Sequence, residues 1–423
     1  MTTLTDPPKA SFRLSMLIYD SRYRSITIQV VALIGFLIGI AWLVNNTLQN
    51  LDALGKTIEF GFLKDPSGYD INQRLIEYTS RSTHARAAFV GLLNTLLVAV
   101  MGCVLATTIG VFVGVMRLSK NWLVAKVMTV YVETLRNVPV LLWIVFLMAI
   151  LSETMPKLKD YKTGAANMLF GNSIAITNRG VYVPEPLFSR SLGDVTVLKG
   201  IYNDSFYFGV SLDLIAILAV FIGGLLISKL IKRRADVIQA ATGDRPATWY
   251  LRLGVIVVPT LIVLILLGFH LGFPELKGFN FRGGIHMRNS LVALWIALSL
   301  YTAAFIAEIV RAGIMAISKG QTEAAAALGL RANKIMSLVV LPQALRIIFP
   351  PLISQYLNLT KNTSLAIAVG YMDITGTLGG ITMNQTGREL ECVLLLMLIY
   401  LVISLSISSV MNWYNERVKL TER

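Results

Sequence analysis

From Arg311 to Arg346 the chain reads RAGIMAISKGQTEAAAALGLRANKIMSLVVLPQALR. Ser318 stands three residues before Gln321, the spacing of a capping box that satisfies orphan N–H groups at a helix start. Glu323 falls in the first turns, where the helix dipole favours an anion. Ala324 to Ala327 are strong helix formers whose minimal side chains let another surface come close. Gly329 is a natural stop for this helix. Pro342 is expected to break or bend the apolar helix that follows. The stretch therefore predicts a short helix over about 319–329 with a flat alanine face. Two readings fit it: a helix that inserts into a groove on a partner, or a tidy connection between its neighbours.

The flanking segments place this helix beside a membrane. Asn289–Val310 comes before it and Phe349–Val369 after it, each an apolar run of the length that crosses a hydrocarbon core. Six further runs read the same way: Ile26–Val44, Ala88–Val115, Val127–Ile150, Val210–Leu230, Leu253–Phe269 and Cys392–Met411. Composition agrees. Of 423 residues, 55% are hydrophobic and 15% charged, where a soluble domain carries about 25% charge. The first run ends in Trp42-Leu43-Val44-Asn45-Asn46 without a small-x-small cleavage site, so it reads as a retained span and not a secretory signal.

Eight spans put both termini on one side. With that side cytoplasmic, the inner segments hold 21 Lys/Arg against 7 Asp/Glu, and the outer segments 15 against 14. The net charge of +14 is thus the positive-inside asymmetry of a membrane protein, not a nucleic-acid footprint. Lys232-Arg233-Arg234 belongs to the same pattern and has no aromatic platform beside it. The long outer loops, about 45–87 and 151–209, are short for catalytic domains. They read as lids or docking surfaces, or as plain connections. No internal repeat is visible, which counts against a secondary transporter.

The spacing Glu323-Ala324-Ala325-x3-Gly329, followed by Leu341-Pro342, resembles the EAA motif of permease subunits of binding-protein-dependent ABC importers. Val339 stands where that family often has Ile. The resemblance implies that this loop is a coupling helix docked into an ATP-hydrolysing subunit, through Glu323, Ala324, Ala325, Gly329, Leu341 and Pro342. Glu133-Thr-Leu-Arg136-Asn-Val138-Pro139 is similar to a segment of the polar amino-acid permeases, with Val138 and Trp143 departing from the commonest form. Ala307-Glu308-Ile-Val-Arg311-Ala-Gly313, Lys361-Asn362-Thr363-Ser364-Leu365 and Gly91-Leu-Leu-Asn94-Thr95-Leu96 resemble the same group.

The resemblance covers a core of 88–150 and 289–415. To this are added 1–87, an insertion at 151–288 and a tail at 416–423. That enlarged plan resembles the permeases of general L-amino-acid or glutamate/glutamine/aspartate/asparagine transporters, which pair two different enlarged permeases. What it implies is an all-α, polytopic, type I ABC importer permease in the bacterial inner membrane, with both termini cytoplasmic. The implied partners are an ATPase dimer, a second homologous permease and a periplasmic amino-acid-binding protein. ATP and magnesium would reside on the ATPase, and no cofactor on this chain. The rival from another class is an ion-driven secondary amino-acid transporter.

Ionisable groups inside spans are costly and point to function. Glu133 and Arg136, three apart, share a helix face and read as an intramembrane pair, structural or in contact with substrate. Glu308 and Arg311 have the same spacing. Lys361, Asn362, Thr363 and Ser364, with Gln355, Asn358 and Thr360 just before, supply a cation, amides and hydroxyls in the middle of span seven. An amino acid needs such groups along its path, but hydrogen bonds between helices would use them too. Asn94, Thr95, Thr107 and Thr108 read as packing residues, and Gly110-x3-Gly114 as a close helix contact. Cys103 and Cys392 sit in apolar runs as small buried hydrophobes, and His84, His270 and His286 are scattered. There is no Gly-x4-Gly-Lys-Ser/Thr phosphate loop and no nucleophile or metal-ligand set, so no catalytic residue is assigned and the chain is not read as an enzyme.

Overall fold

The computed structural model describes residues 16–53, 55–278 and 280–418. Most of the expected N-terminal tail and the end of the C-terminal tail lie outside the described residues. Among these residues eight helices are long and apolar enough to cross a membrane, as expected from hydropathy. Helix α1 (Ser21–Ala53) lies in one compact unit, Met1–Phe60, and carries apolar side chains exposed on every side. That is the pattern of a helix whose surroundings are lipid.

The second unit, Gly61–Arg423, contains the remaining spans. Its axis is a pair, α2 (His84–Met116) and α7 (Asn289–Met315). A Cβ on Gly110 would lie 2.6 Å from Ile306 Cβ, and one on Gly114 would lie 2.7 Å from the Ala307 carbonyl oxygen. Only glycine lets the two backbones come this close. Helix α7 is the most enclosed span, with 72% of its apolar window buried. Ala106, Ala303, Ile306 and Val310 form one core cluster with Ile348, Leu352 and Leu359 of α9 (Leu341–Asn362). Val98, Leu291, Leu294 and Leu298 form another with Ile144 of α4 (Val140–Glu153).

The third expected span, Val127–Ile150, is not one helix. Helix α3 (Trp122–Asn137) ends before Val138, which is extended at φ −106° and ψ 134°, and α4 starts after Pro139. The pyrrolidine ring disfavours helical backbone at the preceding residue, so the chain turns here. Helices α5 (Leu212–Thr242) and α6 (Trp249–Leu266) form an antiparallel hairpin, with Gly224 against the Val255 carbonyl and Arg252 Nε donating to Ser228 Oγ at 3.3 Å. Helix α10 (Glu389–Val418) is the last span.

Parts of the long loops are packed structure and not loose connections. Tyr69, Ile71 and Tyr78 bury themselves against Ala87 and Val90 at the start of α2. The insertion adds short antiparallel strands that the all-α expectation did not include. Strands β1 (Ala175–Thr177), β2 (Gly180–Val183) and β9 (Ile285–Arg288) form one sheet, with Tyr182 opposite His286. Three two-stranded ribbons pair β3 (Glu185–Phe188) with β6 (Phe269–Gly272), β4 (Asp194–Val197) with β5 (Phe208–Ser211), and β7 (Glu275–Lys277) with β8 (Asn280–Arg282). Leu158, Ala175, Tyr182 and Phe281 give this outer cap its own core. Burial raises the pKa of Tyr182, against the smaller opposing pull of Arg179 and Arg288.

Filling the α2–α7 contact tests its weight. Gly114→Val is expected to destabilise the purified protein by about 1–3 kcal/mol through overpacking. Gly223→Val, where nothing lies within 4 Å of the added Cβ, should leave the thermal unfolding midpoint in place. Equal midpoints for both variants would show that the close approach carries no stability.

Candidate functional site

Helix α8 spans Lys319–Ala327 between the membrane helices α7 and α9. Ser318 occupies the N-cap, but the expected capping box does not form. The amide of Gln321 donates to the Ser318 carbonyl at 3.1 Å, so it is already satisfied by a tight first turn. The Gln321 side chain turns instead to Gln343 at the start of α9, 3.4 Å away.

The far end of α8 behaves as the sequence predicts. Gly329 adopts φ +78°, its amide donates to the Ala326 carbonyl at 2.9 Å, and the Leu330 amide donates to Ala325 at 3.3 Å. This is a Schellman termination, which needs a left-handed residue at that position. Ala325 faces inward at 6% exposure, while Glu323, Ala324, Ala326 and Ala327 are exposed and Leu328 reaches 82%. The small-residue face therefore stands clear of the rest of the chain.

Pro342 does not break the next helix. One turn, Met336–Val340, widens to π geometry, so the Leu341 amide donates to the carbonyl of Met336, five residues back. The proline then sits at the beginning of α9, where its missing N–H costs little. Leu341 and Pro342 are both exposed.

Beside this loop Glu308 is gripped from two helices. Arg311 Nη2 donates to Glu308 Oε1 at 2.5 Å, and Arg117 Nη1 at the end of α2 donates to Glu308 Oε2. The Glu308–Arg311 pair was legible from spacing; Arg117 was missed, because it reads as one more cytoplasmic cation. The expected Glu133–Arg136 pair does not form among the described residues. The Arg136 guanidinium lies over the Phe305 ring of α7 at 5.1 Å, and Glu133 is exposed, accepting from Asn137 at 3.5 Å. The aromatic face of a neighbouring helix outcompetes the exposed carboxylate.

The polar run in span seven divides by face. The α-helix ends at Asn362 and continues as 3₁₀ helix over Thr363–Val369. Leu352, Leu359 and Thr360 face inward, whereas Asn358 and Lys361 are exposed and Gln355 and Asn362 half-buried. The last four lie at helical spacing along one stripe. Thr363 is fully buried and donates to Thr360 O at 2.8 Å, and Ser364 Oγ donates to the Lys361 carbonyl at 2.8 Å. Thr363 and Ser364 thus fold their hydroxyls into local structure. The stripe of Gln355, Asn358, Lys361 and Asn362 is what remains on the outward side of this helix.

Asn94 and Thr95 do pack, as expected. Asn94 Nδ2 donates to Gln73 O and Met372 O at 2.7 and 2.8 Å, and Thr95 Oγ1 accepts from the Ile374 amide at 3.0 Å. Asp373, outside every motif singled out above, is fully buried beside them. It accepts from the Gly376 amide at 2.8 Å and from Tyr400 Oη at 3.3 Å. A lone carboxylate inside the apolar stretch 366–382 was the available signal.

Comparisons with known proteins agree on one family. Residues 241–420 match the binding-protein-dependent transport system inner membrane component. The glutamate/glutamine/aspartate/asparagine transport system permease protein of Rhodobacter capsulatus is 57% identical over 433 aligned residues, covering 100% of both chains. The general L-amino acid transport system permease protein of Rhizobium johnstonii is 44% identical over 416 residues, 98% of this chain and 96% of that one. A putative amino-acid ABC transporter permease protein of Escherichia coli is 41% identical over 396 residues, 93% of each chain.

The Schellman end gives a local test. In Gly329→Val a β-branched residue must hold positive φ, at a cost of about 1–2 kcal/mol. Amide exchange at 329–330 should accelerate roughly 5- to 30-fold, while Gly329→Asn, which tolerates that conformation, stays near wild type. Equal protection in all three proteins would show that the termination does not hold α8.

Proposed function

The chain belongs to the inner-membrane permease components of binding-protein-dependent amino-acid ABC importers, and we propose from this premise that it carries L-amino acids from periplasm to cytoplasm, foremost glutamate, aspartate and their amides. The full-length similarity to a permease of those four amino acids supports that substrate class. A broad range is the second reading, supported by the 44% identity to a general L-amino acid permease.

The observation that carries the mechanism is the exposed alanine face of α8, capped at Gly329. An ATPase subunit takes this face into a groove, with Glu323, Ala324, Ala325, Gly329, Leu341 and Pro342 forming the contact. ATP and magnesium bind to that partner, and this chain holds neither. Closure of the ATPase dimer moves α8, and the ion-pair network of Arg117, Glu308 and Arg311 transmits the motion to α2 and α7. The stripe of Gln355, Asn358, Lys361 and Asn362 lines the path shared with a second, homologous permease. A polar stripe of that length is costly against hydrocarbon, which supports its facing water or protein. Segments 88–150 and 289–415 form the transport core, 151–288 is an outer insertion, and both termini are cytoplasmic. A periplasmic binding protein delivers the solute.

Membrane vesicles containing the complex and its binding protein are expected to take up labelled glutamate when ATP is inside, with competition by aspartate, asparagine and glutamine. Competition by leucine, histidine and arginine as well would assign the broad range. Glu323→Ala and Gly329→Val should lower uptake roughly tenfold or more, the scale of a coupling free energy of 1–3 kcal/mol, while ATP hydrolysis persists. Unchanged uptake in both variants would remove the coupling role of α8.

A further inference from the structure

The outer cap borders an open cavity of about 600 Å³, the size of a small-molecule site. The turn between β1 and β2 supplies Asn178 and Arg179, β2 supplies Tyr182, β9 supplies His286 and Arg288, and the first residue of α7 supplies Asn289. Val369 and Gly370, at the end of the 3₁₀ segment that follows the polar stripe, form part of its wall.

Its chemistry is one-sided in charge. Arg179 and Arg288 are among the residues around it, the Arg288 guanidinium also donating from Nη2 to Asn72 Oδ1 at 3.1 Å, and no Asp or Glu is. The N-terminus of the 27-residue α7 opens here, and its N-cap Arg288 makes no side-chain cap hydrogen bond. Such a helix end favours an anion. Tyr182 and His286 stack with centroids 4.2 Å apart and planes 8° from parallel, making a flat wall.

Two buried atoms of this basic site lack a partner in the chain, His286 Nε2 and Asn289 Oδ1, and the second asks for a donor. Asn289 is 4% exposed, and its Nδ2 donates to Leu151 O at 3.2 Å and Asn178 O at 2.8 Å. Two carbonyl acceptors fix the orientation of the amide. Its Oδ1 is left buried with no partner in the chain. A buried acceptor without a donor is unfavourable, so a ligand that brings an N–H gains there. Guanidinium groups and a helix N-terminus for a carboxylate, together with the unpartnered Asn289 Oδ1 for an ammonium, match the two ends of a zwitterion.

We propose that this cavity is an outer receiving site for a free α-amino acid with a carboxylate or amide side chain, reached before the stripe of α9. The proposal rests on the import reading above and adds to it a place and a selectivity. The two guanidinium groups discriminate against arginine and lysine by like charge. The 3₁₀ segment links the cavity to Asn362 across about 14 Å, from its rise of about 2.0 Å per residue.

The test uses the purified permease–ATPase complex without its binding protein and measures equilibrium binding of radiolabelled L-glutamate. Arg179 is exposed in a turn, so Arg179→Gln leaves the fold in place. That variant is expected to raise Kd about tenfold or more, the loss of one charge-assisted hydrogen bond. Arg179→Lys should recover most of the affinity, and Arg190→Gln, elsewhere on the outer cap, should bind as wild type. Aspartate should displace the label and arginine should not. Equal affinity in Arg179→Gln, or displacement by phosphoethanolamine but not by aspartate, would overturn the proposal, the latter assigning the site to a lipid headgroup. Glutamate uptake with the binding protein present separates the two claims. Uptake without direct binding overturns this site and leaves import standing, whereas absence of both overturns the import reading and the site with it.

Discussion

The contact between α2 and α7 is the constraint on which the rest of the core depends. Gly110 and Gly114 bring the two backbones together over Ala303, Ile306 and Ala307, leaving no room for an added methyl group. Because these helices cannot slide apart without opening a void, Arg117 at the end of one is held against Glu308 of the other. That ion pair lies at the start of the loop that carries α8. Helix α9 then packs Ile348, Leu352 and Leu359 into the remaining groove. Its orientation follows from that packing. With the apolar side committed to the core, Gln355, Asn358, Lys361 and Asn362 have to face outward from the bundle.

A bilayer makes the same demand on every polar group: find a partner or an aqueous route. The amide nitrogen of Asn94 and the hydroxyls of Thr95 and Thr363 find partners within the chain, and so do Asp373 and Tyr400, which tie the irregular segment after the 3₁₀ helix to α10. Such groups specify a unique arrangement of helices. The stripe on α9 finds no comparable set of partners among the described residues. The division between satisfied and outward-facing polar groups falls within one helix, at intervals of a single residue.

That division also marks how far sequence alone reaches. Eight apolar runs, the short capped helix and its stop at Gly329 were legible, because each rests on local rules: length, propensity and backbone handedness. The break at Pro139 was missed, since hydropathy runs smoothly through Val138 while only backbone sterics interrupt the helix. Glu133 and Arg136 were read as a pair because spacing alone permits it. The choice was made by Phe305 from a helix far away in sequence, which spacing cannot see. The capping box at Ser318 failed for a different reason, competition from the backbone carbonyl of Ser318 itself for the Gln321 amide. The role of Thr363 required knowing which side of α9 is buried.

The outer cap shows how the part of the insertion outside its two spans is joined to the core. Strands β2 and β9 lie on opposite sides of a hairpin of two spans, more than a hundred residues apart in places, yet they pair in register from Gly180–Arg288 to Val183–Ile285. That pairing stacks Tyr182 on His286 and fixes Arg288 directly before α7, the most enclosed span of the core. A side chain on the insertion is thereby set at the head of the helix that α2, α4 and α9 all pack against. Asn289 completes the joint by donating to carbonyls of both α4 and the β1–β2 turn. Movement of α7 relative to α4 stretches the bond to Leu151, and movement relative to the β1–β2 turn stretches the bond to Asn178. The outer cap is thus coupled mechanically to the same helix that carries Glu308 at its opposite end.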